Sequence, residues 1–337
     1  MSDLEKLIAF DNIEHLVSEE TRNKILSDLN INEEELEKRL IGKKKEDEFI
    51  LFLILLDVCS IIPIDESIPQ LLDEASCDFI IQMKDSKKSF MLEIKHTDTE
   101  EYKISGGNLQ RRIDYANSKG YELYFAISIK GFWMLFNHNY IKKRGGTISI
   151  KDDGLKSELD TIFYTCAYLF MGNVKIETIY SKADHPKKLY IKHEDYGSLI
   201  SYKFFYNEKL IFKVKGKNSQ YLPFITILDG LQDRLSSQNQ EIKEEGEFTI
   251  IKEWGDNNCI YEYTFLLSII SHVKYNENQT YDAHTLIKES KIEKSVLINK
   301  NLIKILRECI YYLATCKEVI ITYQVQDKGY YIKLPNS

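Results

Sequence analysis

Three ionisable residues, Asp78, Glu93 and Lys95, have types and spacing that suit chemistry on a bound metal ion. The residues 78–83 and 89–96 have the composition of β-strands, and the polar residues between them predict a turn. With a turn centred near Ser86, antiparallel pairing places Asp78 opposite the stretch from Glu93 to Lys95. The hairpin is therefore expected to bring all three side chains to one place on a sheet.

Strand alternation decides which of these side chains can act together. Glu93 and Lys95 point to one face of the strand, whereas Leu92 and Ile94 point to the other and can enter the core. Two carboxylates so placed can hold Mg²⁺ or Mn²⁺, with the backbone carbonyl of Ile94 as a third candidate ligand. A lysine beside them can stabilise developing negative charge, or orient and deprotonate an attacking water. This combination suits phosphodiester hydrolysis.

At these residues the sequence resembles the PD-(D/E)xK nuclease superfamily, which includes many restriction endonucleases and archaeal Holliday junction resolvases. The matching residues are Cys77-Asp78 and, after a hairpin, Glu93-Ile94-Lys95, and the resemblance covers roughly residues 45–140. It implies that Asp78 and Glu93 bind the metal and that Lys95 acts beside the attacking water. Cys77 stands where proline is common in that family. An exposed, salt-bridged sheet edge is the structural alternative for the triplet.

Two more candidate site residues follow from the same resemblance. Many members add an acidic residue from the helix before the hairpin, and among Glu46, Asp47 and Glu48 we choose Glu48 as a metal ligand because it adjoins the apolar run. Its alternative role is a favourable charge at a helix N-terminus. Gln110, on the helix after the hairpin, matches a glutamine that several subfamilies place near the site, and its alternative is an exposed helix position. Phosphate contacts could come from the basic side chains Lys103, Arg111, Arg112, Lys142, Lys143 and Arg144.

The elements that must position these residues predict an α/β fold. A helix at 46–60, the hairpin, a helix at 109–118 and strands at 122–129 and 132–136 indicate a mixed central sheet flanked by helices, and the resemblance implies a restriction-endonuclease-like core. An amphipathic helix over 155–170 would close this nuclease domain, residues 1–172.

Residues 173–337 are expected to form a C-terminal α+β domain. Strands are predicted at 174–180, 189–192, 199–206 and 209–215, and a flexible polar stretch at 236–247. Helices near 261–273, 282–288 and 302–315, followed by strands at 318–324 and 330–334, have the order of a winged-helix-like module.

Composition restricts the class of protein. At 337 residues and 43% hydrophobic content the chain can bury two cores, and no apolar run reaches the roughly 20 residues that span a bilayer. We expect a cytoplasmic protein with no membrane segment, no disulfide framework and no zinc site, because the six cysteines are scattered without a CxxC pair. The net charge of -7 is uneven, since the segment 76–150, which holds the candidate site, carries an excess of basic residues.

The leading hypothesis is a Mg²⁺- or Mn²⁺-dependent endonuclease acting on double-stranded DNA, with host defence, restriction or repair as its setting by family analogy alone. A ribonuclease and a non-catalytic nucleic-acid-binding or assembly protein remain open as alternatives. Residues 173–337 contain no second set of paired carboxylates or phosphate loop, so recognition, homodimerisation, a partner protein or a regulatory ligand is expected there.

Overall fold

Two β-sheets with helices packed against them form the architecture. The computed structural model describes residues 10, 17–28, 33–64, 76–186, 188–189, 191–215, 222–265, 274–276, 279–280, 282–287 and 301–324. The fold is mixed α/β, as the sequence predicts.

The first sheet is mixed and carries the predicted hairpin. Its spatial order is β1-β2-β3-β5-β6, in which only the β3–β5 pair is parallel. The strands of the hairpin pair Phe79 with Leu92 and Ile80 with Met91, which confirms the predicted register to within one residue. The strands are β1 Cys59–Pro63, β2 Phe79–Met83, β3 Ser89–Thr97, β5 Glu122–Ile129 and β6 Phe132–Asn137.

Helices cover both faces of this sheet. They are α2 Glu33–Leu56 on one face and α3 Gly106–Ser118 and α4 His138–Lys143 on the other, and α1 Glu19–Asp28 precedes them in the chain. Leu92 and Ile94 of β3 share a core with Phe49 of α2, whereas Met91 on the opposite face shares a core with Ile113 of α3. Because side chains alternate along a strand, Glu93 and Lys95 lie on the α3 face. A small separate pair, β4 Glu101–Lys103 and β7 Thr147–Ser149, lies alongside.

The first helical region differs from its prediction. Two short helices were expected within the first 40 residues and a third over roughly 46–60, but α2 runs continuously from Glu33 to Leu56 and is followed by the edge strand β1. Asp57 ends the helix because it adopts a positive φ of 55°. The β-branched pair Ile61 and Ile62 then extends along β2, and Pro63 is tolerated at the end of an edge strand.

The amphipathic helix predicted over 155–170 is wrong. The chain forms the short helices α5 Ile150–Asp153 and α6 Leu159–Phe163, separated by a 3₁₀ turn, and then the long strand β8 Ala167–Ser181. Tyr164 ends α6 in the left-handed conformation. From Tyr168 onward, buried side chains recur at every second residue over much of the strand, which is the strand period.

The second sheet is antiparallel and is built around β8. Its order is β11-β10-β8-β13-β12, with β16 also paired to β8 and β9 paired to β10.

Residue 172, the predicted domain boundary, lies inside β8. The polar stretch 236–247, predicted to be flexible, forms instead the end of α7 and the strand β12. The remaining elements are β9 Lys192–His193, β10 Gly197–Tyr206, β11 Lys209–Lys215, α7 Leu222–Gln238, β12 Gln240–Glu245, β13 Phe248–Tyr261, β14 Lys274–Asn276, β15 Gln279–Thr280, α8 Leu302–Cys316 and β16 Ile321–Gln324.

The winged-helix order is only partly visible. Residues 262–265 and 283–287 are helical and the helix α8 is present, but β16 pairs antiparallel with β8 as a member of the second sheet. The second strand expected for a wing, 330–334, lies outside the described residues. Within the described part of the chain, no helix has both the length and the hydropathy to cross a membrane.

An ion pair between the half-exposed Arg307 and the buried Glu262 joins α8 to the second sheet. Glu262 is 0% exposed and accepts hydrogen bonds from Arg307 Nε at 2.8 Å, the Tyr168 hydroxyl at 2.8 Å and the Cys166 N–H at 3.1 Å. A buried carboxylate is stable only when hydrogen-bond donors replace the water that it has lost. The Glu262–Arg307 ion pair therefore sets the position of α8 against the second sheet.

Arg307→Ala should lower the free energy of unfolding by about 3 kcal/mol, because it leaves a buried carboxylate without its counter-charge while two neutral donors remain. Urea denaturation measures this. Lys304→Ala is the matched control, since Lys304 is exposed on the same helix and pairs only loosely with Glu308, at 3.8 Å. Equal stability of the two variants would contradict a fastening role for Arg307.

Candidate active site

Asp78 is fixed by backbone hydrogen bonds on both sides. Its N–H donates to the Leu92 carbonyl at 3.2 Å, and its own carbonyl accepts from the Ile64 N–H at 3.0 Å. Strand pairing between β2 and β3 ends at Leu92, so the next N–H on that side of β3, that of Ile94, has no strand partner there. It donates instead to Asp78 Oδ2 at 2.6 Å. The Asp78 side chain therefore lies at the point where the hydrogen-bonded pairing between β2 and β3 ends.

The Ile94 carbonyl lies on the same side of the strand, because the N–H and C=O of one strand residue point the same way. It is directed toward the space beside Asp78. The sequence-based choice of this carbonyl as a candidate ligand fits this geometry, and its role stays a prediction.

Glu93 is the most deeply placed group of the site, with 1% of its surface exposed. Its Oε1 accepts a hydrogen bond from Arg112 Nε at 2.7 Å and forms an ion pair with Lys95 Nζ, also at 2.7 Å. Its Oε2 is buried and has no hydrogen-bond partner among the described residues. Since buried polar atoms are nearly always satisfied, Oε2 is an acceptor that lacks its donor or cation.

Burial and the repulsion between neighbouring carboxylates dominate the electrostatics of Asp78. Burial raises the pKa of Asp78 well above its usual range, Glu93 and Glu46 raise it further, and Lys95 and the Ile94 N–H only partly oppose this. Burial acts to lower the pKa of Lys95, but the carboxylates of Glu93 and Asp78 outweigh it, so the pKa is raised and Nζ stays protonated. A bound cation would relieve the repulsion between the carboxylates.

Tyr102 also belongs to this environment. Burial raises its pKa to about 12, with Lys95 opposing the shift and Glu93 adding to it. The small β4–β7 pair thus brings a half-buried phenol beside the ionic cluster. From the sequence, Tyr102 was expected only to offer a stacking surface near the site, and no local signal in the sequence points to its placement beside the ionic cluster.

Glu48 is a correction to the sequence-based assignment. Its two oxygens accept from Lys45 Nζ at 2.7 Å and from the Trp133 indole N–H at 2.9 Å, so the side chain is engaged elsewhere. Glu46 is the acidic residue of α2 that interacts electrostatically with Asp78 and Lys95. The two positions lie about 200° apart around a helix, so only one can face the site.

Gln110 is not brought to the cluster either. It is exposed, donates to Asp114 at 2.8 Å and accepts from Lys142 at 3.3 Å. Arg112, two residues later, reaches Glu93 instead. The helix periodicity of the sequence could have indicated this contact. Arg112 lies three residues after buried Leu109 and next to buried Ile113, at the border of the packed face of α3.

The residues present fit a hard divalent cation with few protein ligands. No group of three or more His, Cys, Asp or Glu side chains in the described ranges is arranged to hold a metal ion. The candidate set is two carboxylates and a backbone carbonyl, and Mg²⁺ commonly binds one or two carboxylates and keeps several waters. The unpartnered Oε2 of Glu93 and the raised pKa of Asp78 are the two observations that favour a cation here.

Asp78→Asn should stabilise the protein without metal, by about 1 kcal/mol at pH 7. A carboxyl whose pKa is higher in the fold than in the unfolded chain favours folding when protonated, and this stability is lost as the pH rises through the folded-state pKa. At neutral pH the Asp78 charge therefore costs stability, which the amide removes. Denaturation in EDTA measures it, with the exposed Asp114→Asn as control. A less stable Asp78→Asn protein would mean that the charged bond to the Ile94 N–H outweighs the repulsion.

Comparisons with protein-family profiles and with curated protein sequences find no match. Among solved structures, a Holliday junction resolvase from the archaeal hyperthermophile Archaeoglobus fulgidus is similar to part of the chain. The identity is 14%, the match covers 33% of this chain and 89% of that chain, and the TM-score is 0.28. At this identity and TM-score, the similarity by itself assigns neither a family nor an activity to the chain.

Proposed function

We propose that the chain is a divalent-metal-dependent nuclease that hydrolyses phosphodiester bonds, with Asp78 and Glu93 as metal ligands and Lys95 as the neighbouring cation. The observation that carries the proposal is the buried, unpartnered Glu93 Oε2 in a cluster that also contains Asp78 and a protonated lysine. DNA is the substrate that the motif resemblance favours. Mg²⁺ or Mn²⁺, when bound, would activate water and neutralise charge on the phosphoryl group.

The chain's own residues divide the remaining work. Asp78 and Glu93, with the Ile94 carbonyl, hold the ion in a fixed place on the sheet. Lys95 Nζ remains protonated beside two carboxylates, so it acts as a cationic donor that stabilises negative charge developing on a phosphoryl oxygen. Glu46, on α2, adds negative charge at the edge of the cluster.

The second sheet and its helices are proposed to determine what the nuclease acts on, or when. Residues 282–287 contact α2 close to Glu46, where His284 Nδ1 lies 2.5 Å from Asp47 Oδ2 and Lys44 Nζ lies 3.0 Å from Asp282. Lys43 binds both Glu46, at 3.2 Å, and Asp47, at 3.4 Å. The C-terminal region thus shares a contact network with the residue that borders the site.

The deciding experiment incubates the full-length protein with plasmid, linear duplex DNA, branched DNA and RNA, in Mg²⁺, Mn²⁺ or EDTA. We expect cleavage of at least one DNA substrate that requires metal and is lost in Glu93→Gln. Cleavage of RNA alone would replace the DNA assignment by a ribonuclease. Binding of nucleic acid with no cleavage in either metal would replace the enzyme by a non-catalytic binding protein.

Lys95→Ala should reduce kcat by at least about 100-fold and leave nucleic-acid affinity nearly unchanged, because its charge acts mainly on the transition state. Single-turnover cleavage and a binding titration separate these quantities. Lys84→Ala is the control, since Lys84 is exposed just beyond the end of β2 opposite Asp78 and pairs with exposed Asp57. Unchanged cleavage by Lys95→Ala would remove the residue from the mechanism, and a drop in melting temperature alone would make it a structural lysine.

A further inference from the structure

Arg112 is the one basic side chain of α3 that bonds to a candidate metal ligand in the described residues. Its Nε donates to Glu93 Oε1 at 2.7 Å, and 24% of its side chain is exposed. The neighbouring Arg111 is turned outward and bonds to Asn108 at 2.6 Å, one turn earlier on the same helix. Two adjacent arginines therefore do different things, and only one of them belongs to the cluster.

Both cations that contact Glu93 use the same oxygen. Lys95 Nζ and Arg112 Nε meet at Oε1, and Oε2 is left buried without a partner. Rotation about the last bond of a glutamate side chain is broad and has two nearly equivalent positions. A single donor at the end of a flexible lysine stem restricts this rotation weakly. A planar guanidinium fixed to a helix restricts it more strongly, because its donors have a rigid geometry.

We propose that Arg112 is a positioning residue for metal binding, which holds the Glu93 carboxylate so that Oε2 remains directed to the ion. This inference rests on the proposed function. Arg112 does not touch the ion, and it acts through Glu93. Groups that hydrogen-bond a ligating carboxylate commonly contribute about 10- to 100-fold to metal affinity or activity. The positive charge of Arg112 alone would have the opposite effect, since it repels a cation.

The test is titration of the metal-free, full-length protein with Mn²⁺ in the absence of nucleic acid, followed by electron paramagnetic resonance or calorimetry. Arg112→Ala should weaken the Kd for Mn²⁺ by about 10-fold or more. Arg112→Lys keeps the positive charge but loses the planar donor, so its Kd for Mn²⁺ should lie between those of the wild type and Arg112→Ala. Arg111→Ala is the matched control and should bind as the wild type does. At saturating Mn²⁺, the kcat of Arg112→Ala should recover substantially.

Two results would overturn the proposal. If Arg112→Ala binds Mn²⁺ as tightly as the wild type, or more tightly, Arg112 does not position the ligand. If Mn²⁺ affinity is unchanged but KM for nucleic acid rises, Arg112 acts on the substrate phosphate. Should Arg112→Ala fail to fold in EDTA, Arg112→Gln, which retains an N–H donor, is judged by the same criteria. Failure of the wild type to bind Mn²⁺ in a Glu93-dependent manner would instead refute the proposed function.

Discussion

The burial of the Glu93 carboxylate is the constraint on which the rest of the site depends. Glu93 lies on the central strand of the first sheet, so its charge cannot turn toward water, and an ion removed from water costs several kcal/mol unless it is compensated. Compensation comes from Lys95, two residues along the same strand, and from Arg112 on the helix that covers this face. The placement of α3 is therefore an electrostatic requirement as well as a packing one. Because both cations contact one oxygen, the other is left without a hydrogen-bond partner among the described residues.

The end of a strand ladder supplies the second half of the site. Within the described residues, pairing between β2 and β3 stops at Leu92, whereas β3 remains paired with β5 on its other side as far as Thr97. An unpaired strand edge inside a protein needs partners for its backbone groups. Asp78 satisfies the Ile94 N–H, which both orients the aspartate and leaves the adjacent carbonyl facing the same space. The Asp78 carboxylate and the backbone of Ile94 thus place polar groups where the β2–β3 pairing ends.

The helix α2 connects this site to the rest of the chain. Its apolar side chains pack on the first sheet, and Phe52 also meets Tyr263, just beyond the end of β13, with ring centroids 6.2 Å apart. Its polar turn carries Glu46 toward Asp78 and presents Asp47 to His284. The hydrophobic core therefore runs from the first sheet to the second without a break. Direct contacts therefore link the C-terminal region, through His284 and Asp47, to Glu46 at the edge of the site.

The sequence by itself determined the hairpin, its register and the convergence of Asp78, Glu93 and Lys95, because strand alternation and a polar turn are local properties. It also predicted the strands near β10 and β11. Only the tertiary structure decided which acidic residue of α2 borders the site, Glu46 and not Glu48, and which residue of α3 reaches it, Arg112 and not Gln110, since helix rotation depends on packing. The stretch 155–170 also needed the whole fold, because a short apolar segment has similar patterns as helix and as strand until its pairing partners are known.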